Sequence, residues 1–138
     1  MKNGGYQFGF EKLNVWQEAR GMANMIYSLT IHFPGEEKFV LVSQMRRAAL
    51  SVCSNIAEGS SRKSHKDQAH FYNLSYSSLM ELLNQCIIAK DQILIKEEQL
   101  NECREKISKT ANMLNALRNN CLKQSNNKPP TKQHPTNK

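Results

Sequence analysis

Between Gly59 and Pro129 the chain has no glycine and no proline. The two residues that most readily interrupt a helix are thus missing from half its length, and long helices are free to form there. No stretch approaches the ~18 consecutive apolar residues of a membrane-spanning helix, so a membrane protein is not expected. The opening segment MKNGGYQFGF has no continuous apolar run and no small-residue cleavage pattern, so no signal peptide is expected and a cytoplasmic location follows. The four cysteines, Cys53, Cys86, Cys103 and Cys121, are widely spaced and match no zinc framework; in a reducing compartment they are most simply small core residues. There is no P-loop, no dinucleotide-binding glycine pattern and no nucleophile motif. His65 and His70 stand five apart, off the spacing of a paired helical metal site. No catalytic residue, metal or cofactor is expected, and no small-molecule substrate.

What is present is charge of one sign. The 138 residues carry 19 lysines and arginines against 12 acids, a formal charge of +7. The excess is uneven: Lys123, Lys128, Lys132 and Lys138 lie in a terminal segment without an acid, which leaves the rest mildly basic. Nucleic-acid binding must therefore rest on clustering rather than on net charge.

The apolar pattern gives four helices. The first opens near Asn14, where NVWQ resembles a capping box, and Val15, Trp16, Ala19, Met22, Ala23, Ile26 and Leu29 line one face. The second begins after Pro34-Gly35 and runs to Gly59, with Leu41, Met45, Ala48, Ala49, Val52 and Ile56 on its core side. Phe39, Leu50 and Cys53 form a second apolar flank, with Arg46 beside it, which suggests self-association. A cap at Ser64 to Asp67 starts the third helix, whose broad apolar surface ends in a turn at DQILI. The fourth carries a heptad seam of Leu100, Cys103, Ile107, Thr110, Leu114, Leu117 and Cys121, closed by Lys123. The expected organisation is an N-terminal arm over 1–12, an all-α, up-down-up-down four-helix bundle over 13–122, and a disordered lysine-rich tail over 123–138.

Four segments in order, LNVWQEA at 13–19, IYSLTIHFP at 26–34, QMRRAALSVCSNIAEGSSR at 44–62 and FYNLSYSSLMEL at 71–82, resemble the bacterial four-helix bundle family of 23S ribosomal RNA intervening-sequence proteins. That family is related to the accessory variability determinants of diversity-generating retroelements. The resemblance implies a bundle that assembles into a ring-like homo-oligomer, a homopentamer in known members, with basic surface for RNA or DNA and no enzymatic activity. In the retroelement branch it also implies a reverse transcriptase as partner. Ser75-Tyr76-Ser77-Ser78 departs from the family's small-residue pattern, which commonly includes a glycine, and puts helix packing and subunit geometry in question.

Arg46 and Arg47 are about 100° apart on a helix and so serve different partners. Arg46, on the apolar flank, suits a structural pairing with Glu81 or with a neighbouring subunit. Arg47, on the polar face, is either solvated or a phosphate contact. Arg62, Lys63 and Lys66 form the densest basic cluster of the folded part, at a helix start where backbone N–H groups also favour anions. Trp16 is read as a core or interface anchor, and Tyr72 and Tyr76 as packing residues or a base-stacking pair. Asn55 and Glu58 are read as polar contacts near the Gly59 turn. The rival to a nucleic-acid-binding accessory protein is a scaffold that recruits a partner enzyme.

Overall fold

The computed structural model describes residues 5–127, and every regular element within them is helical. The long elements are α1 (Asn14–Thr30), α2 (Ser43–Ser60), α3 (His65–Asp91) and α4 (Glu97–Asn127). Each packs on the next and α1 closes against α4, without extensive diagonal contact. Short connections force neighbouring helices antiparallel, so the start of α1, end of α2, start of α3 and end of α4 share one end, here called basal. Met22, Ile26, Met45, Ile56, Leu79, Leu82, Ile107 and Leu114 are fully buried between the four helices, each stabilising the fold by about 1.5–3 kcal/mol.

The heptad seam of α4 is buried along its length, with Leu117 only partly so. The breadth of α3's apolar surface has a simple cause: it is the helix sandwiched between its two most extensive neighbours, α2 and α4. Ser64 caps α3 as its sequence predicts, accepting from the Asp67 N–H at 3.0 Å.

Three expectations about helix ends are corrected. Asn14 is not a cap: Leu13 precedes α1 in an extended conformation and no side chain caps it. A 3-10 turn at Gly9–Lys12 has already reversed the chain, so Gln17 donates to the Glu11 carbonyl at 2.7 Å instead of reaching back to Asn14. The Phe10 ring meets Trp16 edge-on at 5.0 Å, so part of the expected arm is folded against α1. The second helix does not run unbroken from Gly35: a 3-10 turn (Gly35–Glu37) and a π-helical turn (Lys38–Val42) precede α2. At the far end α4 continues past Lys123 to Asn127, because nothing before Pro129 breaks it. The rest of the predicted tail, 128–138, lies outside the described residues.

The α2–α3 seam is close because its facing residues are small. A Cβ on Gly59 would stand 2.8 Å from Tyr72 Cε1 and 3.0 Å from Phe71 Cβ. Ser75 donates to the Val52 carbonyl at 2.8 Å, and the Ser51 and Ser78 hydroxyls are 2.9 Å apart. The serines of Ser75-Tyr76-Ser77-Ser78 therefore meet the close approach that a glycine would otherwise serve. Gly21, by contrast, has open space where a Cβ would go, and permits no close packing.

Candidate nucleic-acid interface

The two adjacent arginines of α2 separate as their angular spacing requires. Arg46 turns to α1, not to Glu81: its Nε donates to Thr30 Oγ1 at 2.9 Å, its terminal amine donates to the Tyr27 carbonyl at 3.3 Å, and its guanidinium lies 4.4 Å from the Tyr27 ring. These acceptors sit in the last turn of α1, where the negative end of the helix dipole favours a cation; the Tyr27 carbonyl also accepts from the Ile31 N–H at 3.1 Å. Glu81 is exposed and, among the described residues, accepts only from Gln85, one turn on, at 3.4 Å. Arg47 is exposed, and among the described residues its side chain makes no ion pair or hydrogen bond. It lies thirteen residues before the end of α2, about 20 Å along the helix from the basal end. The structure therefore does not join it to Arg62, Lys63 and Lys66 in one site.

Within that basal cluster Arg62 is already engaged. It bridges Glu58 at 3.1 Å and Asp67 at 3.8 Å, and its guanidinium stands 4.5 Å from the Phe71 ring. That arrangement ties the end of α2 to the start of α3, so that Arg62, unlike Lys63 and Lys66, has acidic partners of its own. Glu58 thus works at the Gly59 turn as expected. Asn55 does not: its amide reaches back along α2 to the Ser51 carbonyl at 2.9 Å. Trp16 is half-buried against the core, with Arg20 over its ring at 5.5 Å. Tyr72 is core and Tyr76 packs against the core.

Lys63 and Lys66 are exposed and free of ion pairs among the described residues. Topology brings Lys12, Arg118 and Lys123 to the same end, also without an acidic partner there. Arg118 donates to Asn73 Oδ1 at 2.8 Å, linking α4 to α3 while keeping its charge unneutralised. The basal end thus holds six cations, Arg62 included, against Glu11, Glu18, Glu58 and Asp67, whereas the opposite end carries Glu36, Glu37, Asp91, Glu97 and Glu98 against Lys38, Arg46, Arg47, Lys90 and Lys96. Lys12, Arg118 and Lys123 are dispersed in sequence, so only the order and direction of the helices could have revealed them.

A cavity of about 330 Å³ opens at this end, bounded by Gly9 and Leu13, the end of α2, the start of α3 and the last turns of α4. Burial, with the neighbouring Cys121 thiolate disfavouring a second charge, pushes the Tyr72 hydroxyl up to about 12, so it stays protonated. Burial also raises the Cys121 thiol. Cys86 and Cys103 pair across α3 and α4, and that hydrogen bond, with burial, pushes the Cys86 thiol up. All four cysteines are free. A larger groove of about 500 Å³ between α1 and α4 is lined by Glu18, Met25, Glu102, Glu105, Lys106 and Lys109. Its ends are joined by a Lys109–Glu18 contact at 3.5 Å. Among the described residues no group of three or more His, Cys, Asp or Glu side chains is placed to hold a metal, and no helix is long and apolar enough to cross a membrane.

Comparison with curated proteins gives no match. Among solved structures, a protein of unknown function from the S23 ribosomal protein family of Bacteroides thetaiotaomicron VPI-5482 superposes with a TM-score of 0.67 at 19% identity, covering 75% of this chain and 96% of that one. At that identity the likeness establishes the fold. The family model described as 23S rRNA-intervening sequence protein matches residues 11–116, most of the bundle and all of its basal α2–α3 turn, and the chain belongs to that family.

Proposed function

We propose that this protein is a non-enzymatic RNA-binding accessory protein whose basal end engages the phosphate backbone. The observation that carries the reading is the gathering of Lys12, Lys63, Lys66, Arg118 and Lys123 at one end of the bundle without acidic partners among the described residues. Cations so placed displace counterions from a polyanion, and the attraction acts on backbone rather than on sequence. The exposed flank of α2, with Leu50 48% accessible, supports assembly into a homo-oligomer. A ring of copies would repeat the basic end and turn weak contacts into avidity. The test is binding to a structured RNA across a salt series, with light scattering on the same samples. A steep fall with salt that Lys63→Ala/Lys66→Ala flattens supports the reading, and salt-insensitive or absent binding refutes it.

One observation favours the scaffold reading. At the end opposite the basic one, Ile31, Phe39 and Ile93 are 70%, 84% and 89% exposed, apolar side chains suited to a protein partner such as a reverse transcriptase. If RNA binding fails while a partner enzyme is retained by Phe39 and Ile93, the scaffold reading replaces the first.

A further inference from the structure

The basal cavity has the wrong chemistry for bundle packing and the right one for a flat, hydrogen-bonding ligand. Its inner wall is Tyr72, 3% exposed, whose ring is pinned against Gly59. The Tyr72 hydroxyl makes no hydrogen bond among the described residues and is not sealed off as its ring is, so it is available to the cavity it lines. Leu13 and Leu117 supply apolar walls, while His65, Asn120 and Gln124 stand around the opening with donors and acceptors. Gln68 is held in place rather than free: its Nε2 donates to the Arg62 carbonyl at 3.1 Å, and its Oε1 faces His65 Nδ1 at 3.2 Å and accepts from Cys121 Sγ at 3.5 Å. The volume, about 330 Å³, falls at the small end of the range of ligand pockets. Lys63 and Lys66 are exposed at the same end, Lys66 next in sequence to the rim residue His65 and Lys63 in the loop before it.

We propose that this cavity receives a single unpaired nucleobase, hydrogen-bonded by Tyr72 and the rim amides, with the attached phosphate at Lys63 and Lys66. The apolar lining accepts a face of a planar heterocycle, and amide and hydroxyl groups answer its polar edge. Proteins that recognise RNA commonly hydrogen-bond the edges of unstacked bases. The ligand class rests on the RNA reading above, and the inference deepens it: the basal end holds not only backbone but one splayed nucleotide. The same chemistry would accept a free nucleotide.

The test uses the full chain and two variants whose folding is checked by circular dichroism. Tyr72→Phe removes the hydroxyl and keeps the ring on Gly59; Asn120→Trp places a bulky ring at the opening from an exposed position. Binding of AMP, CMP, GMP and UMP is measured by saturation-transfer NMR and calorimetry, with ribose 5-phosphate as control. A single-stranded oligoribonucleotide with a central 2-aminopurine reports base capture by fluorescence. The expected result is roughly tenfold weaker base-dependent binding in Tyr72→Phe, the loss of one good hydrogen bond, and none in Asn120→Trp. RNA bound equally by all three proteins overturns the cavity and leaves the backbone reading intact. Ribose 5-phosphate binding as well as the nucleotides overturns base recognition. Mononucleotides that bind in a Tyr72-dependent way when RNA does not would uphold the cavity and sink the RNA reading, and no binding of either overturns both.

Discussion

Arg46 Nε lies 2.9 Å from Thr30 Oγ1, sixteen residues earlier and on the neighbouring helix. Thr30 is itself buried and donates to the Ile26 carbonyl at 2.7 Å, so its oxygen is free to accept from the arginine. The guanidinium thereby reinforces the last turn of α1, which the Ile31 N–H also closes onto the Tyr27 carbonyl. Arg46→Ala should destabilise the fold by about 1.5–3 kcal/mol, the range for hydrogen bonds to a charged group. Arg46→Lys should recover less than half, because an ammonium lacks the planar fork that spans Thr30 Oγ1 and the Tyr27 carbonyl. Urea denaturation measures both; a loss below about 0.5 kcal/mol for the alanine variant would show the contact to be incidental.

Gly21 and Gly59 should respond in opposite directions to the same substitution. At Gly21 the space is open and the helix gains propensity, so Gly21→Ala should stabilise by about 0.5–1 kcal/mol. At Gly59 the new methyl meets Tyr72 Cε1 at 2.8 Å, and overpacking of about 1–3 kcal/mol outweighs the propensity gain. Thermal midpoints that rise for both variants would mean that α2 and α3 separate easily.

The chain leaves α3 through an unusual residue. Leu94 donates to the Ala89 carbonyl at 2.9 Å and Ile93 to the Lys90 carbonyl at 3.0 Å, a Schellman ending whose left-handed position is filled by Ile93 at φ 62°. A β-branched side chain is strained there, and Ile93 buries almost none of itself in return. Ile93→Gly should raise stability by about 1 kcal/mol, the left-handed penalty less glycine's extra chain entropy. Unchanged or lower stability in urea would show that Ile93 carries no net strain in the left-handed position.

These residues mark where the sequence was informative and where it was not. The Leu100-to-Cys121 seam and the Ser64 cap are local patterns, fixed by spacing within one helix, and both are where the pattern puts them. The end of α3 is weakly marked because the glycine that ordinarily signals it is replaced by Ile93, although the turn does fall within DQILI. Arg46's partner lies on α1 rather than α3, a tertiary choice that helical angles leave open. The π-helical turn at Lys38–Val42 leaves no residue signature. For the candidate site, Lys63 and Lys66 were visible as a run, but the acids that engage Arg62 lie a turn away on either side. Lys12, Arg118 and Lys123 join them only through topology, and the cavity beneath is assembled from four separate segments.

Stability should fall in alkali. The Tyr72 hydroxyl is held up to about 12 against an ordinary 10.0, chiefly by burial, and Cys53 up to about 11 against 9.0 for the same reason. Folding thus favours the protonated forms of both groups. Their contribution is fully present below pH 9 and is lost as the pH rises from 9 to 12. A urea midpoint that is flat to pH 9 and then declines is expected, with Tyr72→Phe removing the upper part of the decline; a midpoint independent of pH up to 12 would show that both groups ionise freely in the fold.

Arg47 and the Lys63–Lys66 pair separate a basal interface from a generally basic surface. Each lysine that neutralises a phosphate steepens the salt dependence of binding by about one unit on a logarithmic scale. Lys63→Ala/Lys66→Ala should therefore reduce the slope by about two while leaving the thermal midpoint unchanged, since neither side chain is paired within the described residues. Arg62→Ala should do the reverse, lowering the midpoint because it severs the Glu58 and Asp67 contacts, with little change of slope. Arg47→Ala, about 20 Å up α2, should move neither. If all four positions reduced the slope alike, binding would be spread over the whole surface, and the convergence of helix ends would have no part in it.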